Sequence, residues 1–455
     1  MEALKKASQH KVNFKEEYGL KGNPNLGLTM ATFGFFIGFS AVSLFGTVAS
    51  EFNRFLGLSG VLLGFLVGAP QLLGSLLRIP FGAWVDKTGG KKPMIILLCI
   101  SILGMVGLTA ILYTGELTME KFPWVLFFGL LGGAGVATFS VGVPQTNYWF
   151  PKSKQGLAAG IYGGLGNLAP GIFGLVLPLV LAMAGLANTY LIWLSFLVVG
   201  TVIYAVFAKD AYSIQLTQKG ISNEEAKAIA EELGQEVFPT GNAFEALKKS
   251  ANNPKTWALI SLYFTSFGGF LALTTWLPTY WTEFHGQSVR VAGILMAVGF
   301  SIFASLIRVY GGKLSDGLGG EKVAITSFGI AFIGALLLMF TANFWIALAG
   351  EIILAAGMGI ANAAVFKLVP TYVSEAPGGA SGWVGGLGAF GGFVIPPVMG
   401  MFVDALGTSG YQRGFVVFAI LAVISMAISY TLMKKHTAAA KRASRTASPN
   451  PEIVK

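Results

Sequence analysis

Charge is what this 455-residue chain has least of: 11% of its residues are Asp, Glu, Lys or Arg, against roughly 25% in a soluble domain. A folded soluble surface needs far more of them, which excludes a cytoplasmic enzyme. Cysteine and histidine are scarcer still, one and three. Cys99 lies in an apolar run, so no intramolecular disulfide can form and redox chemistry is not expected. His10, His285 and His436 fall at the ends of apolar runs or in polar tails. No catalytic residue, metal site or cofactor is expected from them. What is abundant is apolar: 54% hydrophobic residues, with 61 Gly and 36 Phe, and a mean hydropathy of +0.68. Glycine at this density suits helices packed closely inside lipid.

Apolar stretches of about 20 residues, the length that spans a bilayer, recur at 27–49, 59–84, 94–114, 123–149, 157–184, 189–208, 256–282, 289–312, 324–341, 344–372, 379–403 and 411–433. Each is too long for a strand, and in hydrocarbon the backbone must satisfy itself, so all twelve are expected to be helices. Residues 1–26 are polar and basic, and the first run is long enough to remain as an anchor, so no cleaved leader is expected. A polar linker from Lys209 to Lys255 divides the spans six and six. The expected units are therefore 1–208, a linker 209–255, 256–434 and a basic tail 435–455. Within the linker, Ser222-Asn223-Glu224-Glu225 reads as a capping box. Ala226, Ile229, Ala230 and Leu233 follow at helical spacing. A solvated linker helix and a regulatory docking helix both fit that pattern.

Lys and Arg set the orientation. With the amino terminus inside, 24 of the 31 fall on the cytoplasmic side, four (Arg54, Lys121, Arg290, Arg413) outside, and three (Arg78, Arg308, Lys367) within spans. Both termini are thus expected in the cytoplasm, and the net charge of +10 is mostly this topological bias. The basic tail reads as a lipid-headgroup anchor. Nucleic acid is not an expected partner.

The chain also repeats itself. SLLRIPFGAWVDKTGGKK (75–92) aligns without a gap on SLIRVYGGKLSDGLGGEK (305–322), with 8 of 18 positions identical, among them Arg78/Arg308, Gly82/Gly312 and Asp86/Asp316. GLAAGIYGGLG (156–166) aligns on GGASGWVGGLG (378–388), 7 of 11 identical. Two independent matches, in the second and fifth spans of each half, mark a parallel six-plus-six duplication. That is the plan of many secondary transporters, whose site lies at the midplane between the halves. Gly386 to Gly391 also spells a dinucleotide fingerprint, but no strand precedes it.

An arginine inside a span costs from about 2.5 to more than 10 kcal/mol, depending on how it is measured. Two at equivalent points of a duplicated fold call for a use. Glu51, Glu351 and Asp404 are read as lying near span ends, so neither arginine has a carboxylate at its own depth. The natural counter-charge is a mobile anion, which a planar guanidinium grips through fixed donors. Snorkelling toward the loop aspartates, eight residues on, is the competing reading. Asn167 follows the glycine run of span five, and the repeat places Ala389 opposite it, so the site is asymmetric.

Gly82-x-x-x-Asp86-Lys87-x-Gly89-Gly90-Lys91-Lys92, between spans two and three, resembles the signature loop of the major facilitator superfamily, and Gly312 to Lys322 is its echo. The glycine-rich fifth and eleventh spans, with an arginine in the second and eighth, resemble that superfamily's nitrate/nitrite porter family over nearly the whole chain. The resemblance implies an all-α fold of two six-helix repeats that carries nitrate and nitrite across the cell membrane by alternating access, working as a monomer. It implies that Arg78 and Arg308 bind the anion and that Asn167 and Tyr263 hydrogen-bond it. Phe139 and Phe267 sandwich it, and the glycine runs holding Gly164 and Gly386 line the pore. Asp86 and Asp316 take part in gating on the cytoplasmic side. Lys367 stays open: a third pore charge, a snorkelling lysine or a proton-labile group. Exchange of nitrate for nitrite is favoured over proton symport, because proton relays normally use carboxylates or histidines inside the membrane. An organic anion is the alternative cargo.

Overall fold

The computed structural model describes residues 14–236 and 242–447, with the side chains of 439–447 left out; residues 1–13 with His10, linker residues 237–241 and the tail end 448–455 lie outside it. Among the described residues every regular element is helical. Eleven continuous stretches are long and apolar enough to cross a membrane, and one of them, Lys152–Phe207, has 56 residues. Gly185 breaks that stretch at φ 75° and ψ 171°, a backbone geometry that side chains with a Cβ avoid. The break falls between the expected fifth and sixth spans, so the spans number twelve.

In chain order, spans 1 to 4 are Pro24–Leu56, Gly60–Thr88, Lys91–Tyr113 and Met119–Asn147; spans 5 and 6 are the two parts of Lys152–Phe207. Spans 7 to 12 are Pro254–Glu283, Val289–Leu318, Gly320–Phe340, Phe344–Tyr372, Pro377–Leu406 and Ser409–Ala438. Several are not plain α-helices. Spans 1 and 4 hold 3-10 turns at Ser40–Ser43, Gly46–Val48 and Gly133–Ala137. Span 7 widens into π turns at Phe264–Gly268 and Tyr280–Phe284, and span 8 at Leu295–Ile302. Such bulges are rare and concentrate at functional sites.

The two repeated loops and the linker fall on one face, here the basic face; the opposite one is the far face. The linker forms three helices, Tyr212–Gln218, Asn223–Glu232 and Ala243–Ala251. Ser222 caps the second, its side chain accepting from the Glu225 N–H at 3.3 Å. Ala226 and Ile229 pack on Leu216, with Phe14 and Tyr18 beside them. The third helix docks on span 11: Trp383 Nε1 donates to the Leu247 carbonyl at 2.9 Å, and Gly379 has no room for a Cβ against the Ala246 backbone. The Glu236 carboxylate accepts from the Lys152 N–H at 2.9 Å, at the start of span 5. The linker therefore grips helix ends in both halves.

One expectation needs correction. Glu351 does not sit at a span end: it is the eighth residue of span 10 and is wholly buried. Trp281 Nε1 donates to its Oε2 at 2.6 Å, and Gly299 lies against its other oxygen. Trp281 and Gly299 belong to spans 7 and 8, so the carboxyl is flanked by spans of its own half. A glutamate in an apolar run gives no sign in the sequence of which way it turns.

Candidate functional site

Arg78 lies in span 2, completely buried. Its Nη1 donates to the Gly385 carbonyl of span 11 at 3.1 Å, and its Nη2 to the Val136 carbonyl of span 4 at 3.3 Å. The 3-10 turn at Gly133–Ala137 supplies that second carbonyl. Nε has no protein partner. Of five N–H bonds, two are engaged, and among the described residues no carboxylate pairs with the guanidinium.

The guanidinium covers two rings, with Cζ 5.2 Å from the Phe139 centroid and 5.0 Å from that of Phe267. Arg308 meets Phe267 as well, its Cζ 5.9 Å from the centroid. Both cations of the repeat thus share one aromatic ring, a favourable contact for each. Phe139 and Phe267 touch, centroids 6.2 Å apart and planes tilted 32°. In this conformation the rings pack on one another rather than standing on either side of a gap. Tyr263 stacks on Phe267 at 5.0 Å, and its buried hydroxyl has no protein partner. Tyr263 and Phe267 sit at the first π turn of span 7, which moves both out of ordinary helical register.

Arg308 is half-buried and lines a cavity of about 10 Å³ with Asn167, Phe267, Phe270, Ser305 and Asn362. That is room for one water-sized sphere. Asn167 Nδ2 donates to its own helix at the Gly163 carbonyl, 2.7 Å, which leaves one N–H free. The Asn167 backbone carbonyl accepts from Ser305 Oγ at 3.2 Å, tying span 5 to span 8. Asn362, with its buried Oδ1 unpartnered, is a cavity residue that the sequence reasoning passed over. Its only signal was a lone amide in an apolar span.

The paired glycine runs have different surroundings. Where a side chain would project from Gly156, Gly160, Gly163 or Gly164, nothing lies within 4 Å. Those positions share a helical face with Asn167, so this face of span 5 borders open space below the cavity, toward the basic face. In the repeat, Gly378 and Gly385 are equally open, but Gly382 meets Leu247 at 3.3 Å and Gly386 is packed, its missing Cβ 2.7 Å from Ile79 Cγ1 of span 2. On the far side of the arginines, glycines close the divide. Gly64 abuts Pro396 and Pro397, Gly174 abuts Met296, and Gly60 and Gly400 each leave no space for a Cβ on the other. The site is therefore sealed toward the far face and open toward the basic face.

Charged groups mark both ends. Asp86 accepts from the Tyr148 hydroxyl and Asp316 pairs with Lys367. Each contact stays within its own half, and Lys367 is spent on Asp316 rather than on the cavity. Asp210, whose carboxyl burial pushes above the usual range, accepts from the Lys91 N–H at 2.9 Å beside the first repeated loop. At the far face Asp404 of span 11 crosses between halves. Its two oxygens accept from the Gly60 and Val61 N–H groups at 2.5 and 3.0 Å. A carboxylate on a helix amino terminus is favourable both by hydrogen bonding and by dipole. Asp404→Ala should release this latch. Losing it costs ~1.4 kcal/mol at such an exposed end, about a tenfold shift toward a conformer open at the far face. Distances between spin labels at Phe55→Cys and Leu406→Cys, in a Cys99→Ser background, read that shift; an unchanged distribution would contradict it.

Comparisons with known proteins agree with one another. The family model described as Major Facilitator Superfamily matches residues 30–307 and 282–454. A probable nitrate/nitrite transporter of Mycobacterium tuberculosis, NarK2, is 30% identical over 427 residues, 92% of this chain and 98% of that protein. A probable nitrate/nitrite antiporter of Thermus thermophilus, NarK1, is 29% identical over 88% of this chain and 89% of its own. The nitrite extrusion protein of Bacillus subtilis is 26% identical over 91% and 97%. Among solved structures, the xylose transporter XylE of E. coli, in a partially occluded inward open conformation, superposes with a TM-score of 0.68 at 14% identity, over 90% of this chain and 98% of that one.

Proposed function

The chain belongs to the major facilitator superfamily, and from that premise we propose that it carries nitrate and nitrite across a membrane by alternating access, with Arg78 and Arg308 holding the anion. The observation that carries this reading is the charge arrangement. Two arginines from equivalent spans meet one phenylalanine, and neither has an acidic partner among the described residues. The printed functions of the relatives supply the cargo. Asn167, with one amide N–H left over, and Tyr263, with its hydroxyl unpartnered, add neutral donors of the kind that fix an oxyanion's orientation.

With the basic face in the cytoplasm, as the Lys and Arg bias favours, this conformation opens inward. Closing the pore on an empty site would leave Arg78 and Arg308 facing each other at low dielectric, which is strongly disfavoured. A bound anion offsets part of that repulsion, so the loaded carrier reorients and the empty one does not. This supports exchange. Among the described residues Glu351 is the buried carboxyl that lies inside a span and could argue for proton coupling, but Trp281 of its own half already donates to it. The chain as a transporter needs no chemical step, and none is assigned.

The test is flux in liposomes with labelled nitrate outside. Uptake should be displaced by unlabelled nitrite and not by formate or oxalate at equal concentration. Equal displacement by an organic acid would overturn the choice of cargo.

A further inference from the structure

Gln71 is an amide in an apolar span that neither the arginine pair nor the glycine contacts engage. It is completely buried in span 2, and neither its Oε1 nor its Nε2 has a protein partner among the described residues. Interiors seldom leave both ends of an amide unpaired. Ser75, one turn closer to Arg78, is equally buried with an unpartnered hydroxyl. Residues 71, 75 and 78 fall on one helical face, and Gln71 lies about 10 Å beyond Arg78 toward the far face.

The duplication repeats the arrangement. Ser301 and Ser305 stand before Arg308 as Gln71 and Ser75 stand before Arg78, and the buried Ser301 hydroxyl also has no partner. Each arginine is thus followed, toward the far face, by a short polar ladder in an otherwise apolar span. Gln71 sits where the halves meet: the missing side chain of Gly392 in span 11 would lie 2.9 Å from Gln71 Cγ and 2.8 Å from Leu271 Cβ of span 7. When the far face opens, spans 2 and 11 must part there.

We propose that Gln71, with Ser75, forms a second anion-binding station on the far side of Arg78, engaged when the far face is open. This rests on the reading of Arg78 and Arg308 as the central anion site. The ligand is a small oxyanion, held by the amide N–H groups and the serine hydroxyl. It is the first holding point for an anion entering from the far face and the last for one leaving. In the conformation sealed at that face the station is shut, which is why its donors stand unpaired.

Gln71→Met keeps the length of the side chain and removes the donors; Ser75→Ala removes the hydroxyl with little change in packing. Nitrate KM is measured from each side, in right-side-out and in inverted membrane vesicles, for wild type, both variants and Arg78→Lys. The station predicts that Gln71→Met raises KM about tenfold from the far face and changes it less than twofold from the basic face. Ser75→Ala should act in the same sense by about threefold. Three results would overturn it: no change on either side, an equal rise on both, or a rise at the far face matched by a fall at the basic face. The last would mean that Gln71 only shifts the balance of conformations. A wild type that carries no nitrate from either side would instead sink the underlying assignment of function.

Discussion

Arg78→Lys is expected to lower nitrate transport by at least about a hundredfold, although the positive charge stays. The guanidinium does three things at once. It donates to carbonyls on spans 11 and 4, it lies over Phe139 and Phe267, and it keeps further N–H bonds for an anion. A lysine ammonium is a compact point charge with three donors and no planar fork. To reach an anion it must release the carbonyls, and to hold the carbonyls it must turn from the anion. Charge-assisted hydrogen bonds are worth about 1.5–3 kcal/mol each, so the loss of two gives the stated factor. Arg308→Lys should act on affinity more than on fold, because Arg308 makes no hydrogen bond to another described residue. Initial uptake rates in proteoliposomes, normalised to protein, decide both. A near-normal rate for either variant means that charge alone suffices at that residue.

Gly400→Ala should have the second-largest effect, and through geometry alone. A Cβ at residue 400 would fall on the Gly60 carbonyl across the divide between halves. Backbone cannot yield as a side chain end can, so spans 2 and 11 would have to separate at the far face. Overpacking of this kind costs ~1–3 kcal/mol, which in a two-state equilibrium moves the populations by one to two powers of ten. The variant should accumulate in the conformer open at the far face, and exchange should slow by about tenfold or more, because every cycle passes through both states. Spin-label distances between positions 55 and 406 should lengthen in parallel. Normal flux together with an unchanged distance would show that this contact plays no part in the cycle.

The sequence carries the fold further than it carries the site. Twelve apolar lengths, the break near Gly185 and the duplicated loop are one-dimensional signals, and a bilayer turns each long apolar run into a helix with little choice. Which side of such a helix faces inward is another matter. These spans are apolar all round, so periodicity does not tell Gly164, bordering open space, from Gly386, packed on Ile79. The same blindness hid the burial of Glu351. Arg78 and Arg308 stood out because charge in a span is costly, and Asn167 because it ends a glycine run. The π turns at Tyr263 and Phe267 have no sequence signature, and the latch from Asp404 to the start of span 2 joins residues more than 340 positions apart. Nor does the sequence say which group Lys367 meets; the fold pairs it with Asp316, 51 positions away.

Liposomes loaded or left empty test the central claim most directly, that the anion on the arginine pair is what allows the carrier to turn over. Vesicles holding nitrite or nitrate should take up labelled nitrate, and vesicles holding neither should take up almost none, with or without an imposed pH gradient. Uptake into empty vesicles that is driven by that gradient and abolished by an uncoupler would contradict the account.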